Sequence, residues 1–230
     1  MNNPIIKVII PALNEENAIG KVIEELPGGM LAEVVVVDNG SQDQTFQKAI
    51  DKGATAIREP RRGYGQACLT GIKHVSEQEP KPDILVFIDG DHSDFPENII
   101  DLVNPIIRGE ADMVIGSRAL GNKEDGSMTF PQIFGNWLAT TLLRLFYGAK
   151  FTDLGPFRAI RYESLMQLGM IDTNYGWTVE MQLKAAKYKL RYIEIPVDYR
   201  RRIGFSKISG TISGTIMAGY KIIWTIIRYL

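Results

Sequence analysis

Four short runs of β-branched residues, at 5–10, 33–38, 84–89 and 112–116, are too continuously apolar to lie half exposed on a sheet. Val and Ile without polar alternation suit strands covered on both faces, as in parallel sheets. Mixed segments of helical length separate them, at 16–26, 43–51, 64–77 and 96–107. Pro96 falls where the first turn of a helix tolerates a residue without an N–H. Strand and helix therefore alternate. That order predicts a single Rossmann-like α/β domain with a mainly parallel central sheet flanked by helices, right-handed crossovers, and ligands at the carboxyl ends of the strands.

After Arg118 the rhythm changes to a loop at 121–127, an apolar helix at 134–146 and a mixed region ending at Arg202. Composition leaves the loop as either a lid or a plain surface connection. The stretch 208–227 carries one charge, Lys221, and many small residues, among them Gly210, Ser213, Gly214, Ala218 and Gly219. Its length approaches the ~20 residues of a membrane span. Its Thr, Ser and Gly content favours instead a helix packed on the domain or lying at a membrane interface, with Trp224 and Tyr229 at headgroup level. The division expected is a catalytic domain over 1–207 and a C-terminal helix over 208–230.

Global charge excludes some partners. A net charge of −1 gives no field to draw nucleic acid, so any basic site is local. One cysteine, Cys68, excludes an internal disulfide and a Cys-cluster zinc site. The N-terminus lacks a basic-then-apolar secretory pattern, which makes the cytoplasmic side the expected location.

Polar clusters follow three of the strand-like runs: Pro11-Ala12-Leu13-Asn14-Glu15, Asp38-Asn39-Gly40-Ser41 and Asp89-Gly90-Asp91. At the carboxyl edge of a parallel sheet they would line one crevice. Asp89 and Asp91 carry the sharpest signal, because two close like charges repel unless a cation lies between them. Hard oxygen ligands with few protein contacts suit Mg2+ or Mn2+, with water and diphosphate completing the shell. His92 beside the pair is expected to be solvated or hydrogen-bonded rather than a ligand. Arg61-Arg62-Gly63-Tyr64-Gly65 reads as a basic, glycine-bearing helix entry whose N–H groups could approach a phosphate. Arg200-Arg201-Arg202-Ile203-Gly204-Phe205-Ser206-Lys207 could clamp a diphosphate or touch anionic lipid. No Gly-x-Gly-x-x-Gly or Gly-Lys-Ser/Thr loop supports hydride transfer or ATP hydrolysis.

In this order the blocks resemble glycosyltransferase family 2, and within it the polyprenyl-phosphate sugar transferases. Gly116-Ser117-Arg118, Phe157-Arg158-Ala159 and Glu180-Met181 add to the likeness. The resemblance implies a GT-A fold, a UDP- or GDP-sugar donor and an inverting reaction. It implies that Pro11, Asn14, Glu15 and Asp38 hold base and ribose, with Arg62 and Gly65 beside them. Asp89 and Asp91 would take metal and diphosphate, Arg118 would sit near the donor sugar or acceptor phosphate, and Arg202, Ser206 and Lys207 would close over the donor. The acceptor expected is a polyprenyl phosphate at the inner face of the cell membrane, which the protein would meet peripherally. A glycan or glycoside hydroxyl, or a non-catalytic nucleotide-sugar-binding relative, are the alternatives. A phosphate monoester, with a second pKa of ~6, attacks without a base, whereas a hydroxyl needs one. For that case Asp153 is the candidate base, with Glu180 behind it. Two departures stand out: Asp153 lies one residue closer to Phe157-Arg158 than in the polyprenyl-phosphate enzymes, and their basic residues are missing near 130–132.

Overall fold

The computed structural model describes residues 3–204 and 212–229. Its strands are β1 (Ile6–Ala12), β2 (Leu31–Asp38), β3 (Thr55–Arg58), β4 (Ile84–Phe87), β5 (Met113–Ser117), β6 (Arg158–Arg161) and β7 (Tyr192–Pro196). The helices are α1 (Ile19–Glu24), α2 (Thr45–Asp51), α3 (Tyr64–Ser76), α4 (Ile99–Ile107), α5 (Phe130–Tyr147), α6 (Tyr162–Leu168), α7 (Trp177–Lys187) and α8 (Ile212–Arg228). One 3-10 turn, Pro96–Asn98, leads into α4 with its proline at the start, as expected of a residue that lacks an N–H.

The strands form one sheet in the order β3-β2-β1-β4-β6-β5-β7. All neighbours are parallel except β6, which runs antiparallel to both β4 and β5. Every residue of β1 and β4 is buried. Alternate side chains serve opposite faces: Val8, Ile10, Val36 and Val86 join α1, α2 and α4 in one core. Ile9, Val35, Val37, Leu85 and Phe87 join α3, α5, α6, α7 and α8 in the other. Period-two alternation between two covered faces explains why the runs are mostly apolar without polar alternation.

The four strands anticipated from the sequence are present, and the sheet is mainly parallel as expected. β3, β6 and β7 had no such signature: Thr55-Ala56-Ile57-Arg58 and Arg158-Ala159-Ile160-Arg161 are short, with charges at their ends. The apolar helix starts four residues earlier than its periodicity suggested. Thr129 caps it reciprocally with Gln132, whose side chain accepts from the Thr129 N–H at 2.7 Å. It ends at Gly148 in a left-handed conformation.

The 121–127 loop is pinned along the chain before the basic segment. Asn122 N–H donates to Asp198 Oδ1 at 2.8 Å, and Arg201 N–H donates to Glu124 at 2.6 Å. α8 packs against α5 and α7, with Ile226 fully buried. Among the described residues no helix is long and apolar enough to cross a membrane.

Two glycines on helices have opposite surroundings. A methyl group on Gly71 of α3 would meet Ile9 Cγ2 of the central strand at 2.6 Å, whereas one on Gly135 of α5 would meet nothing within 4 Å. Gly71→Ala is therefore expected to lower stability by about 1–3 kcal/mol through overpacking. Gly135→Ala should raise it by up to about 1 kcal/mol through helix propensity. Urea denaturation of both variants checks the sign of each.

Candidate active site

The carboxyl ends of β1, β2, β4 and β5 open onto two adjoining cavities. One, of about 330 Å³, is walled by Pro11, Leu13, Glu15, Asn39, Arg62 and Asn174, among others. The second, of about 280 Å³, is walled by Arg118, Asn136, Leu154, Pro156, Tyr199 and Ile222, among others. Tyr64, Asp89, Asp91, Tyr175 and Arg202 belong to both walls. The two spaces thus meet at the acidic pair, an arrangement suited to moving a group from one bound molecule to another.

Asp89 follows β4, and its surroundings oppose its charge. Burial and then the neighbouring Asp91 raise its pKa to about 7, against the pull of the Tyr64 hydroxyl, Arg202 and Arg118. Tyr64, the first residue of α3, donates to Asp89 Oδ1 at 3.0 Å. Asp91 is fixed by its own turn, where the Ser93 N–H donates to Oδ1 at 2.9 Å and the Ser93 hydroxyl donates to the same oxygen. Asp94, one turn further on, is buried with neither carboxyl oxygen hydrogen-bonded. Burial, followed by Asp89 and Asp91, pushes its pKa far up.

These groups fit a divalent cation. Among the described residues no set of three or more His, Cys, Asp or Glu is placed to hold a metal. The chain thus offers two carboxylates, the donor set of an ion that takes its other oxygens from water and phosphate. A cation there would remove the repulsion that raises Asp89.

The segment 200–203 lies alongside the acidic turn. The Arg200 N–H donates to Ser93 O at 3.0 Å, and the Ile203 N–H donates to Asp91 O at 2.9 Å. Arg200 also binds Glu25 at 2.6 Å and the His92 carbonyl at 2.8 Å. This placement sets Arg202 across the pair's open side, with one nitrogen 3.2 Å from Asp91 Oδ2 and the other 2.8 Å from Glu15 Oε1. His92 bonds Glu25 Oε1 at 2.8 Å, the hydrogen-bonded role expected of it. Ser206 and Lys207 lie outside the described residues.

Of the residues expected to hold base and ribose, Pro11, Glu15 and Arg62 are on the first cavity's wall. Asn14 and Asp38 are not on that wall and shape the loops behind it. Asn14 adopts a positive φ of 52° and joins two loops: its N–H donates to Ser41 Oγ at 2.9 Å, and its Oδ1 accepts from Gln42 N–H at 2.8 Å. Asp38 Oδ1 accepts the Ser41 N–H at 2.9 Å.

At the helix entry 61–65, Arg61 N–H donates to Glu59 Oε1 at 2.8 Å and Gly63 N–H to Asn39 Oδ1 at 2.8 Å. Gly65 is buried off the cavity wall. A methyl group on it would lie 2.1 Å from Asp172 O, and one on Gly63 would lie 2.1 Å from Thr173 O. Close passage of the 172–174 backbone leaves these glycines no room for a side chain.

Arg118, just past β5, heads the second cavity. Asp153 holds it with three bonds: Oδ2 accepts the Arg118 N–H at 2.8 Å and Nε–H at 2.7 Å, and Oδ1 accepts from Nη2 at 2.7 Å. Burial opposes the guanidinium charge, and Asp153 more than offsets it. The loop carrying Asp153 is itself stitched down. Gln182 donates to Asp153 O at 2.8 Å, and Asn136 both donates to Thr152 O at 3.0 Å and accepts from Leu154 N–H at 2.8 Å. Arg158, fully buried, donates to the Gly155, Leu154 and Thr178 carbonyls. Glu180 is also fully buried, off both cavity walls.

Tyr175, Asn174, Tyr199 and Asn136 were not singled out from the sequence. They sit on irregular segments or mid-helix, where neither spacing nor charge marks them. Tyr64 and Asn39 lay inside recognised blocks without an assigned role.

Comparison with known proteins identifies the family and the fold. The model for glycosyl transferase family 2 matches residues 7–169. A glycosyltransferase of Mycobacterium tuberculosis is 33% identical over 221 residues, covering 95% of this chain and 96% of that protein. The UDP-N-acetylglucosamine–dolichyl-phosphate N-acetylglucosaminyltransferase of Methanococcus voltae is 28% identical over 248 residues, covering 99% of this chain and 96% of its own. Among solved structures, glucosyl-3-phosphoglycerate synthase from M. tuberculosis, in complex with Mn2+, UDP and glucosyl-3-phosphoglycerate, superposes with a TM-score of 0.76 at 22% identity. That match covers 98% of this chain and 79% of the other, and establishes the GT-A fold. By the family match and the 33% identical relative, the chain is a member of glycosyltransferase family 2.

Proposed function

We propose that this enzyme transfers a hexose from a UDP- or GDP-sugar to a polyprenyl phosphate, with inversion, at a membrane surface. The observation that carries this reading is the second cavity. Arg118 and Arg202 lie on its wall beside Asp89 and Asp91, and α5 and α8 contribute Pro131, Gln132, Gly135, Asn136, Gly219 and Ile222. Two cations at one end suit an anionic head group. The same two helices expose an apolar surface. Phe130, Phe134, Trp137 and Leu145 follow one stripe of α5, and Met217, Tyr220, Trp224 and Ile227 follow one stripe of α8. Neither helix contains an Asp or Glu, although the chain has 27 acidic residues, and Arg144, Lys221 and Arg228 supply positive charge. An apolar stripe with cations and no carboxylates suits anionic lipid. The M. voltae relative, named as an N-acetylglucosaminyltransferase acting on dolichyl phosphate, supports the same acceptor class.

In this reading the donor occupies the first cavity. A divalent cation held by Asp89 and Asp91 supplies charge neutralisation for the departing nucleoside diphosphate. Tyr64 orients Asp89, and Arg202, shared by both cavities, steadies phosphate oxygens. Arg118, fixed by Asp153, orients the acceptor phosphate. One of its oxygens forms a bond to the anomeric carbon as the bond to the diphosphate breaks on the opposite face. No proton need be removed, because the phosphate is already largely dianionic at neutral pH. This agrees with the cavity wall: its carboxylates among the described residues are Asp89 and Asp91, and Asp153 is engaged by Arg118. A hydroxyl acceptor would lack a free base there.

Incubation with labelled UDP- and GDP-sugars, Mn2+ and polyprenyl phosphate is expected to move label into an organic-extractable product. Asp153→Asn should lower activity through Arg118, which loses its carboxylate partner, and should leave the pH dependence of kcat unchanged. Loss of the acidic limb of the pH profile would mark Asp153 as a general base and favour the hydroxyl acceptor.

The surface reading has its own check. The protein should float with phosphatidylglycerol vesicles at low salt and much less with phosphatidylcholine vesicles. Trp137→Asp combined with Leu145→Asp should reduce the bound fraction by about tenfold.

A further inference from the structure

The segment 171–176 between α6 and α7 has no regular structure, yet it supplies Asn174 to the first cavity and Tyr175 to both. Its shape depends on what grips it. On one side α3 lies so close that Gly63 and Gly65 have no room for a side chain. On the other side the grip comes from α8. Lys221 Nζ lies 3.1 Å from Asp172 Oδ2, and Asp172 Oδ1 accepts the Asn174 N–H at 2.8 Å. A methyl group on Gly176 would meet both Asp172 Oδ2 and Thr225 Oγ1 of α8 at 2.5 Å.

Below the segment, Glu180 of α7 is a fully buried carboxylate with its needs met from three directions. It accepts the Asp172 N–H at 2.8 Å and the Ile171 N–H at 3.2 Å, pairs with Lys184 at 2.7 Å, and accepts the Tyr229 hydroxyl at 2.8 Å. The Lys184 ammonium in turn donates to Gly169 O at 2.6 Å and lies 5.3 Å from the Tyr229 ring. A buried charge pair is tolerated only with such complete hydrogen bonding, and removing one partner leaves the rest unsatisfied.

We propose that the C-terminal helix α8 is a positioning element of the donor site, in which Lys221 and Tyr229 hold Asp172 and Glu180 and thereby set Asn174 and Tyr175 against the nucleotide sugar. Glu180 then has a positioning role, not that of the reserve base the sequence suggested. Asp172 is the link between helix and cavity: one of its oxygens faces α8 and the other fixes the amide of a wall residue. The inference concerns the donor side alone and stands whichever acceptor is used.

The test uses the full chain and measures binding of UDP and of GDP, each with Mn2+, by calorimetry, the tighter of the two serving as probe. Lys221→Met and Asp172→Asn should each raise Kd about 5-fold or more, within the usual range of coupling between sites. Their double variant should be little worse than either, because both break one link. Lys221→Arg should restore binding. Thermal midpoints of the same variants should stay well above the temperature of the binding assay, so that the rise in Kd reads the site and not unfolding. Lys52→Met, which breaks the exposed Lys52–Glu24 pair elsewhere, is the control. Unchanged Kd in both variants, or a rise matched by the control, would overturn the proposal. Failure of the unaltered chain to bind either nucleotide would overturn the donor-site reading and this inference with it.

Discussion

Two carboxylates on one turn, Asp89 and Asp91, are brought together where burial already disfavours one of them. Much of the surrounding architecture orients that pair and offsets part of the cost of its charge. Tyr64 donates to Asp89, Ser93 donates to Asp91, and Arg202 bridges Asp91 to Glu15. Each comes from a different loop or helix start, so the site exists only when the sheet has gathered those connections at its carboxyl edge. Like charges held apart from bulk water cost free energy in any fold, and that cost is tolerable where a cation and a diphosphate are the intended partners.

The loops at this edge are held mainly by side chains that never reach a cavity. Asn14 and Asp38 tie the turns after β1 and β2 to each other. Arg200 and Glu25 clamp the basic segment to the acidic turn, and Arg158 with Gln182 shapes the loop that presents Asp153. A family block read from the sequence therefore mixes two kinds of residue, those on the wall and those that make the wall. Substitution of either kind would lower activity, for different reasons.

This mixture explains what was legible in advance. Strands buried on both faces announced themselves as apolar runs, Asp89 and Asp91 were visible as paired charge at a strand end, Arg202 stood in a basic run, and Arg118 came through the family resemblance. β6 and β7 were not, because short strands carrying Arg or Glu have no distinct period. At Gly65 a passing backbone segment from a hundred residues away leaves no room for a side chain, a constraint that no local pattern encodes. Tyr175 and Asn174 were missed for the same reason: their place on the wall is fixed by α3, α7 and α8 together.

The central claim is that the acidic pair at the junction of the two cavities holds the cation and the donor diphosphate. Anomalous diffraction at the manganese edge, on crystals soaked with Mn2+ and UDP or GDP, addresses it directly. The account predicts a peak bonded to the Asp89 and Asp91 carboxylates and to diphosphate oxygens, with Arg202 drawn from Asp91 toward phosphate. Nucleotide bound with no manganese at this pair, or manganese bound elsewhere on the chain, would contradict it.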